Sequence, residues 1–122
     1  MTTLVFDPGA KREPVTKAFR PGLTFDLFPT NRKDRQRLRQ QAKTQANGDA
    51  EKEAEIYENL LRRHMVRGWS GVVDPMGQAL AFSPDLVGPL LDNFSNLELW
   101  VTVQCENLAF DEGVRQAEQL KN

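Results

Sequence analysis

From Trp69 to Phe94 the sequence runs WSGVVDPMGQALAFSPDLVGPLLDNF, and this stretch leaves few folds open. Asp74-Pro75-Met76-Gly77 puts Asp first, Pro second and Gly fourth, the order that a type I turn prefers. Ser83 then supplies an N-cap hydroxyl, and Pro84 suits the first helical position because its missing N–H has no helical partner there. Gly88-Pro89 should kink the helix that follows, since Pro89 cannot donate to the Asp85 carbonyl. Leu86, Leu90, Leu91 and Phe94 give that helix a buried side. The stretch predicts an aromatic-anchored turn unit over 68–82 and C-terminal helices over 83–120.

The last helix has a clear start. Ser95-Asn96-Leu97-Glu98 fits a capping box, with Phe94 placed to staple onto Leu99. At about 100° per residue its apolar positions split into two arcs. One holds Leu97, Trp100, Val101, Cys105 and Leu108. The other, on the opposite side, holds Leu99, Val103, Phe110, Val114 and Ala117. A helix apolar on both sides is either sandwiched in a core or offers one side to another chain.

Upstream, residues 30–67 read as a helical hairpin. Thr30 is a good N-cap for a helix over Asn31–Ala46 whose apolar line is only Leu38, Ala42 and Ala46. Arg32, Lys33 and Arg35 in its first turn oppose the helix dipole, so this helix is barely supported by its own sequence. Asn47-Gly48 breaks it, and Asp49 can cap a stronger amphipathic helix over Ala50–Arg67 that Gly68 would end. Residues 1–29 read as a β element with a Pro-rich loop. Thr2–Phe6 and the alternating Leu23–Phe28 are its expected antiparallel strands, joined by a loop over 8–22. The expected fold is one α+β domain over 1–122, mainly α, with a short N-terminal antiparallel β element packed on a bundle of four helices.

A chain of 122 residues with 39% hydrophobic residues suits one core. Its 16 Lys and Arg against 17 Asp and Glu give a net charge of -1, which weighs against nucleic acid as main partner. Cys105 stands alone, without a disulfide partner or zinc-ligand spacing. Thr2–Phe6 is too short an apolar run for a signal peptide, and no run has the length of a membrane helix. His64 lies beside no nucleophile elbow, so it reads as an ordinary residue of a helix C-terminal turn that favours the dipole. Asp74 with Asp85 or Asp92 would be a carboxylate pair only if the fold joined them, and both Asp74 and Asp85 already have turn or first-turn duties. No metal, cofactor or catalytic set is expected, and the chain does not read as an enzyme.

Arg32, Lys33, Arg35, Arg37, Arg39 and Lys43 concentrate positive charge on one helix. They are a solvated face, a basic arm lying along Asp49, Glu51, Glu53 and Glu55, or a docking surface for acidic protein or phosphate. No aromatic residue is interleaved to stack bases. Trp69 and Trp100 read as core anchors rather than ligand cages.

The Trp69 anchor, the Asp74–Gly77 turn, Phe82-Ser83 opening a helix with Leu90-Leu91, and the next helix with Trp100 together resemble the small tail assembly chaperones of long-tailed bacteriophages. The likeness spans Arg67 through Phe110, and more loosely the strand at Leu23–Phe28 and the basic helix. Gly88-Pro89 and the Pro-rich segment before Leu23 depart from it. Phe94 joins Trp69, Asp74, Gly77, Phe82, Ser83 and Trp100 as structural anchors. The resemblance implies a protein of the bacterial host cytoplasm, encoded by a phage or prophage, that coats the tape measure protein until the tail tube forms. The major tail protein is a further partner, self-association is expected, and no residue is catalytic. Arg32, Arg35, Arg39, Leu99, Val103 and Phe110 are the expected interface. Rival readings are a tail completion protein retained in the virion and a nucleic-acid-binding regulator using the basic helix 31–46.

Overall fold

The computed structural model describes residues 12–118, with side chains over 12–111. These residues form three strands and four helices: β1 (Val15–Arg20), β2 (Leu23–Leu27), α1 (Arg32–Ala46), α2 (Ala50–Met65), β3 (Val66–Ser70), α3 (Pro84–Asn93) and α4 (Ser95–Glu118). The fold is α+β and mainly α.

The sheet is antiparallel in the order β1-β2-β3. Residues 8–22 are therefore not all loop. Val15, Lys17 and Phe19 alternate with Thr16, Ala18 and Arg20 along β1, and Pro14 and Pro21 bound this strand rather than interrupt it. Pro21-Gly22, with Gly22 at φ 79°, turns the chain into β2. The expected strand at Thr2–Phe6 lies outside the described residues; the neighbours of β2 are β1 and β3. β3 corrects a second expectation. α2 stops at Met65, whose neighbour Val66 is already extended, and Gly68 sits within a strand instead of ending the helix. There Gly68 pairs with Asp26, and a β-carbon would run into the Asp26 carboxylate.

Phe25 and Leu27 of β2 enter a core completed by Met65, Val66, Val87, Leu91 and the inner side of α4. Trp69 and Trp100 both meet the Phe25 ring edge-on, at 6.5 and 6.2 Å between centroids. α1 lays Leu38, Ala42 and Ala46 along α2 and is fully formed. Its N-cap is Asn31, not Thr30. The Asn31 side chain accepts from the Asp34 N–H at 2.9 Å, and the Asp34 carboxylate accepts from the Asn31 N–H at 2.8 Å. This reciprocal box satisfies two otherwise orphaned donors. Thr30 is buried, its N–H donating to the Cys105 carbonyl and its hydroxyl to the Phe28 carbonyl.

The turn unit forms around Asp74. Its Oδ1 accepts from the N–H groups of Met76 and Gln78, and its carbonyl accepts from Gly77. The Trp69 indole donates to the Leu80 carbonyl at 2.8 Å and meets the Phe82 ring edge-on at 4.9 Å. Ser83 caps α3 as expected. α3 runs through Pro89 to Asn93, and its buried residues are Val87 and Leu91, while Phe94 is 57% exposed. α4 begins at Ser95 without the expected capping box. The Glu98 N–H donates to the Phe94 carbonyl, and the Glu98 carboxylate is drawn to Arg62.

Candidate functional surface

α4 resolves the two-arc ambiguity. Leu97, Val101, Cys105 and Leu108 are buried, with Val101 and Cys105 at 0% exposure, and Trp100 packs against them. On the other side Leu99 is 65% exposed, Val103 42% and Phe110 70%. Phe94 and Leu99 both stand in solvent, so the expected staple adds no burial. The side chains of Val114 and Ala117 lie outside the described set. The helix is covered on one side, and a row of large apolar side chains faces outward on the other.

The basic helix touches the outer side of α4 at one residue. Arg32, Arg35 and Arg39 share one edge of α1 by their three- and four-residue spacing. Arg35 reaches α4, where its Nη2 donates to Glu106 Oε1 at 2.7 Å. Glu106 is one turn before Phe110 and three residues after Val103, within the outward side of α4. Arg39 lies over the Tyr57 ring of α2, 4.6 Å from its centroid. Among the described residues no ion pair joins the α1 arginines to Glu51, Glu53 or Glu55. Arg39 and Lys43 nevertheless line a groove together with Ala50, Glu53 and Tyr57, so this part of the basic arm does lie along the start of α2, without a direct ion pair. Of the expected interface residues, Leu99, Val103 and Phe110 share the outer face of α4 and Arg35 reaches that face through Glu106, whereas Arg39 lies against α2.

A second apolar surface lies where the β1–β2 turn approaches the α3–α4 junction. It is a groove of about 720 Å³ lined by Phe19, Leu23, Val72, Leu80, Leu90 and Phe94. Arg20 is the one ionisable residue in its lining. The anchor Trp69 is tied to this lining through its hydrogen bond to the Leu80 carbonyl and meets Phe82, whereas Asp74 and Gly77 shape the turn and Ser83 caps α3.

The ionisable groups serve structure. Arg62, 6% exposed, donates to Asp92 at 2.8 Å and to Glu98, and pairs with Glu58 at 2.9 Å, joining α2, α3 and α4. Nothing in the local sequence predicted this; only the Glu58–Arg62 spacing was visible. His64 is more enclosed than an ordinary helix-end residue. Its ring meets Phe28 edge-on at 5.2 Å, and its Nε2 lies 4.0 Å from Asp34 without a hydrogen bond. Burial lowers its pKa, with Asp34 opposing and Arg67, Arg37 and Arg12 adding to the effect. A neutral ring forfeits the dipole interaction expected of it. Arg12 chelates the Asp34 carboxylate at 2.9 and 3.0 Å. Burial pushes the Cys105 thiol up to about 12, which keeps it protonated and a poor nucleophile. Asp85 pairs with Arg63 and Asp92 with Arg62, while Asp74 serves its turn, so each carboxylate has a separate duty. Among the described residues no group of three or more His, Cys, Asp or Glu could hold a metal, and no helix is long and apolar enough to cross a membrane.

A family model described as YdaY prophage protein matches residues 27–122. No curated protein and no solved structure matches the chain.

Proposed function

This chain belongs to the YdaY prophage protein family, and we propose that within the prophage it serves as a tail assembly chaperone that holds the tape measure protein. The observation that carries this reading is the outer face of α4. Leu99, Val103 and Phe110 stay in solvent on a helix whose opposite side buries Leu97, Val101, Cys105 and Leu108. Single exposed apolar residues are ordinary, but aligned ones mark a surface that another chain covers. The chemistry of such a surface is reversible contact, with no covalent step. A tape measure protein is long and helical, and its apolar sides need cover until the tube assembles around it.

Shallow contacts suit that task because they can be displaced. Each exposed side chain adds a modest share of burial, so the complex is held by many small terms and can be stripped by the polymerising tail protein. The major tail protein is then the competitor.

Co-expression tests the proposal. The tape measure protein from the same prophage should be more soluble with this chain than without it, and Phe110→Asp should abolish the gain while the variant stays folded. Normal rescue by that variant would remove the α4 face from the interface. Mass spectrometry of purified particles checks the other half: a chaperone is absent from mature virions, whereas a tail completion protein is present.

A further inference from the structure

We infer that Arg37 and Arg67 form a binding site for a phosphate monoester dianion, where α1 meets the start of β3. The inference goes beyond the α4 reading and shares no residue with it.

The fold gathers three guanidiniums from distant segments around one ring and one carboxylate. Arg67 lies over the Phe28 ring, 4.2 Å from its centroid, and Arg12 over the same ring at 5.1 Å. Asp34 is already engaged: Arg12 chelates it, and it accepts from the Asn31 N–H. Arg37 stays 3.9 Å from that carboxylate, with its side chain 61% exposed. Arg67 is exposed too, and among the described residues it forms no ion pair. Arg12 and Asp34 cancel, which leaves Arg37 and Arg67 as two positive charges without a carboxylate of their own. They stand close enough to repel. Burial lowers the Arg67 pKa, and Arg37 and then Arg12 lower it further. Arg67 is also held in place. Its Nε donates to the His64 carbonyl at 2.9 Å, and its Nη2 lies 3.4 Å from His64 Nδ1. A guanidinium only donates, so that contact uses Nδ1 as acceptor, as in a neutral His64 with its proton on Nε2. These contacts and the stacking fix the plane of Arg67 and leave the other N–H groups of its fork for a ligand. Such a fork fits phosphate and carboxylate oxygens alike, so charge decides between them. A carboxylate or a phosphodiester brings one negative charge. A phosphate monoester brings close to two near neutral pH, which matches the uncompensated pair.

NMR of the full chain with isotope-labelled arginine side chains tests this at constant ionic strength and slightly alkaline pH. Inorganic phosphate should shift the Arg67 Nε–H signal saturably, with a Kd below about 10 mM, and bind at least about tenfold tighter than acetate or dimethyl phosphate. Arg37→Gln and Arg67→Gln should each weaken phosphate by about tenfold, followed on the backbone amides of residues 64–68, whose spectra also show that the variants are folded. Arg63→Gln removes the same net charge from an exposed pair with Asp85 and should change nothing. An oligonucleotide with a terminal phosphate separates two sources of the group. Affinity equal to or weaker than that of inorganic phosphate assigns a free anion, whereas tighter binding that disappears with the terminal phosphate assigns a nucleic-acid end. Oligonucleotide binding that survives removal of that phosphate overturns the monoester assignment, as does acetate or dimethyl phosphate binding as tightly as phosphate. A response that never saturates, or that ignores both Arg37→Gln and Arg67→Gln, overturns the site. None of these outcomes touches the α4 surface.

Discussion

Arg62 and His64 lie two residues apart on α2 and solve burial in opposite ways. Arg62 cannot lose its charge, and burial opposes it, yet hydrogen bonds to Asp92 and Glu98 raise its pKa further. Replacing it with Met keeps the aliphatic stem and frees three carboxylates that water can rehydrate. Arg62→Met should therefore lower stability by about 1–3 kcal/mol in urea unfolding, less than the loss from breaking a fully buried pair. His64 can lose its charge, and does. Its folded pKa lies below 6.5, so the unfolded chain takes up the proton first as the pH falls. The stability given by the neutral ring is complete above pH 6.5 and is lost as the pH drops through the folded value. His64→Gln should flatten the stability profile just below pH 6.5, leaving a second acid loss below 3.8 from Asp34. Despite burial, the Arg12 and Asn31 hydrogen bonds hold that carboxyl below its ordinary value. Gly71 is constrained by backbone alone. It sits at φ 94°, and a β-carbon there would meet the Gly22 carbonyl. Gly71→Ala should cost about 1–3 kcal/mol for strain, read as a drop in the urea midpoint without change in slope.

Among the elements, α1 shows how little intrinsic support a helix needs once it has a neighbour. The thin line of Leu38, Ala42 and Ala46 was legible from its four-residue steps, and those same residues are buried. What the local pattern did not supply was the reason they suffice: α2 lies alongside, and Asn31 with Asp34 closes the first turn. Leu38 is the only large side chain in that line. Leu38→Ala should thus cost about 2–5 kcal/mol and loosen the hairpin, which hydrogen exchange across residues 34–46 would locate. β1 teaches the converse. Its two-residue alternation was present in Val15-Thr-Lys-Ala-Phe-Arg20, but the flanking prolines and glycines suggested loop. Proline is harmful inside a paired strand and harmless at its ends, so position mattered more than number. β3 was hidden for another reason. Val66 and Arg67 directly follow the amphipathic pattern of α2 and Gly68 reads as a helix end, so the five-residue strand Val66–Ser70 shows itself only through its pairing with β2.

At the scale of the whole molecule, α4 is one helix with two environments. Val101→Asp would bury an unpaired charge and should prevent folding, whereas Phe110→Asp should leave stability within about 0.5 kcal/mol because its ring already stands in water. Thermal melts of the two variants side by side check that contrast. The sequence alone determined what depends on near neighbours: the Asp74 turn, the Ser83 and Asp49 caps, the break at Asn47-Gly48, and the angular placement of apolar residues on α1 and α4. These follow from backbone hydrogen bonds and side-chain spacing within a few residues. Only the tertiary structure decided which strands flank β2, which α4 arc is covered, and that Arg35 crosses from α1 to Glu106. It also decided that Arg62 gathers carboxylates from three helices. Each of those depends on chain segments tens of residues apart competing for one limited core, and that competition leaves no periodic trace in the sequence.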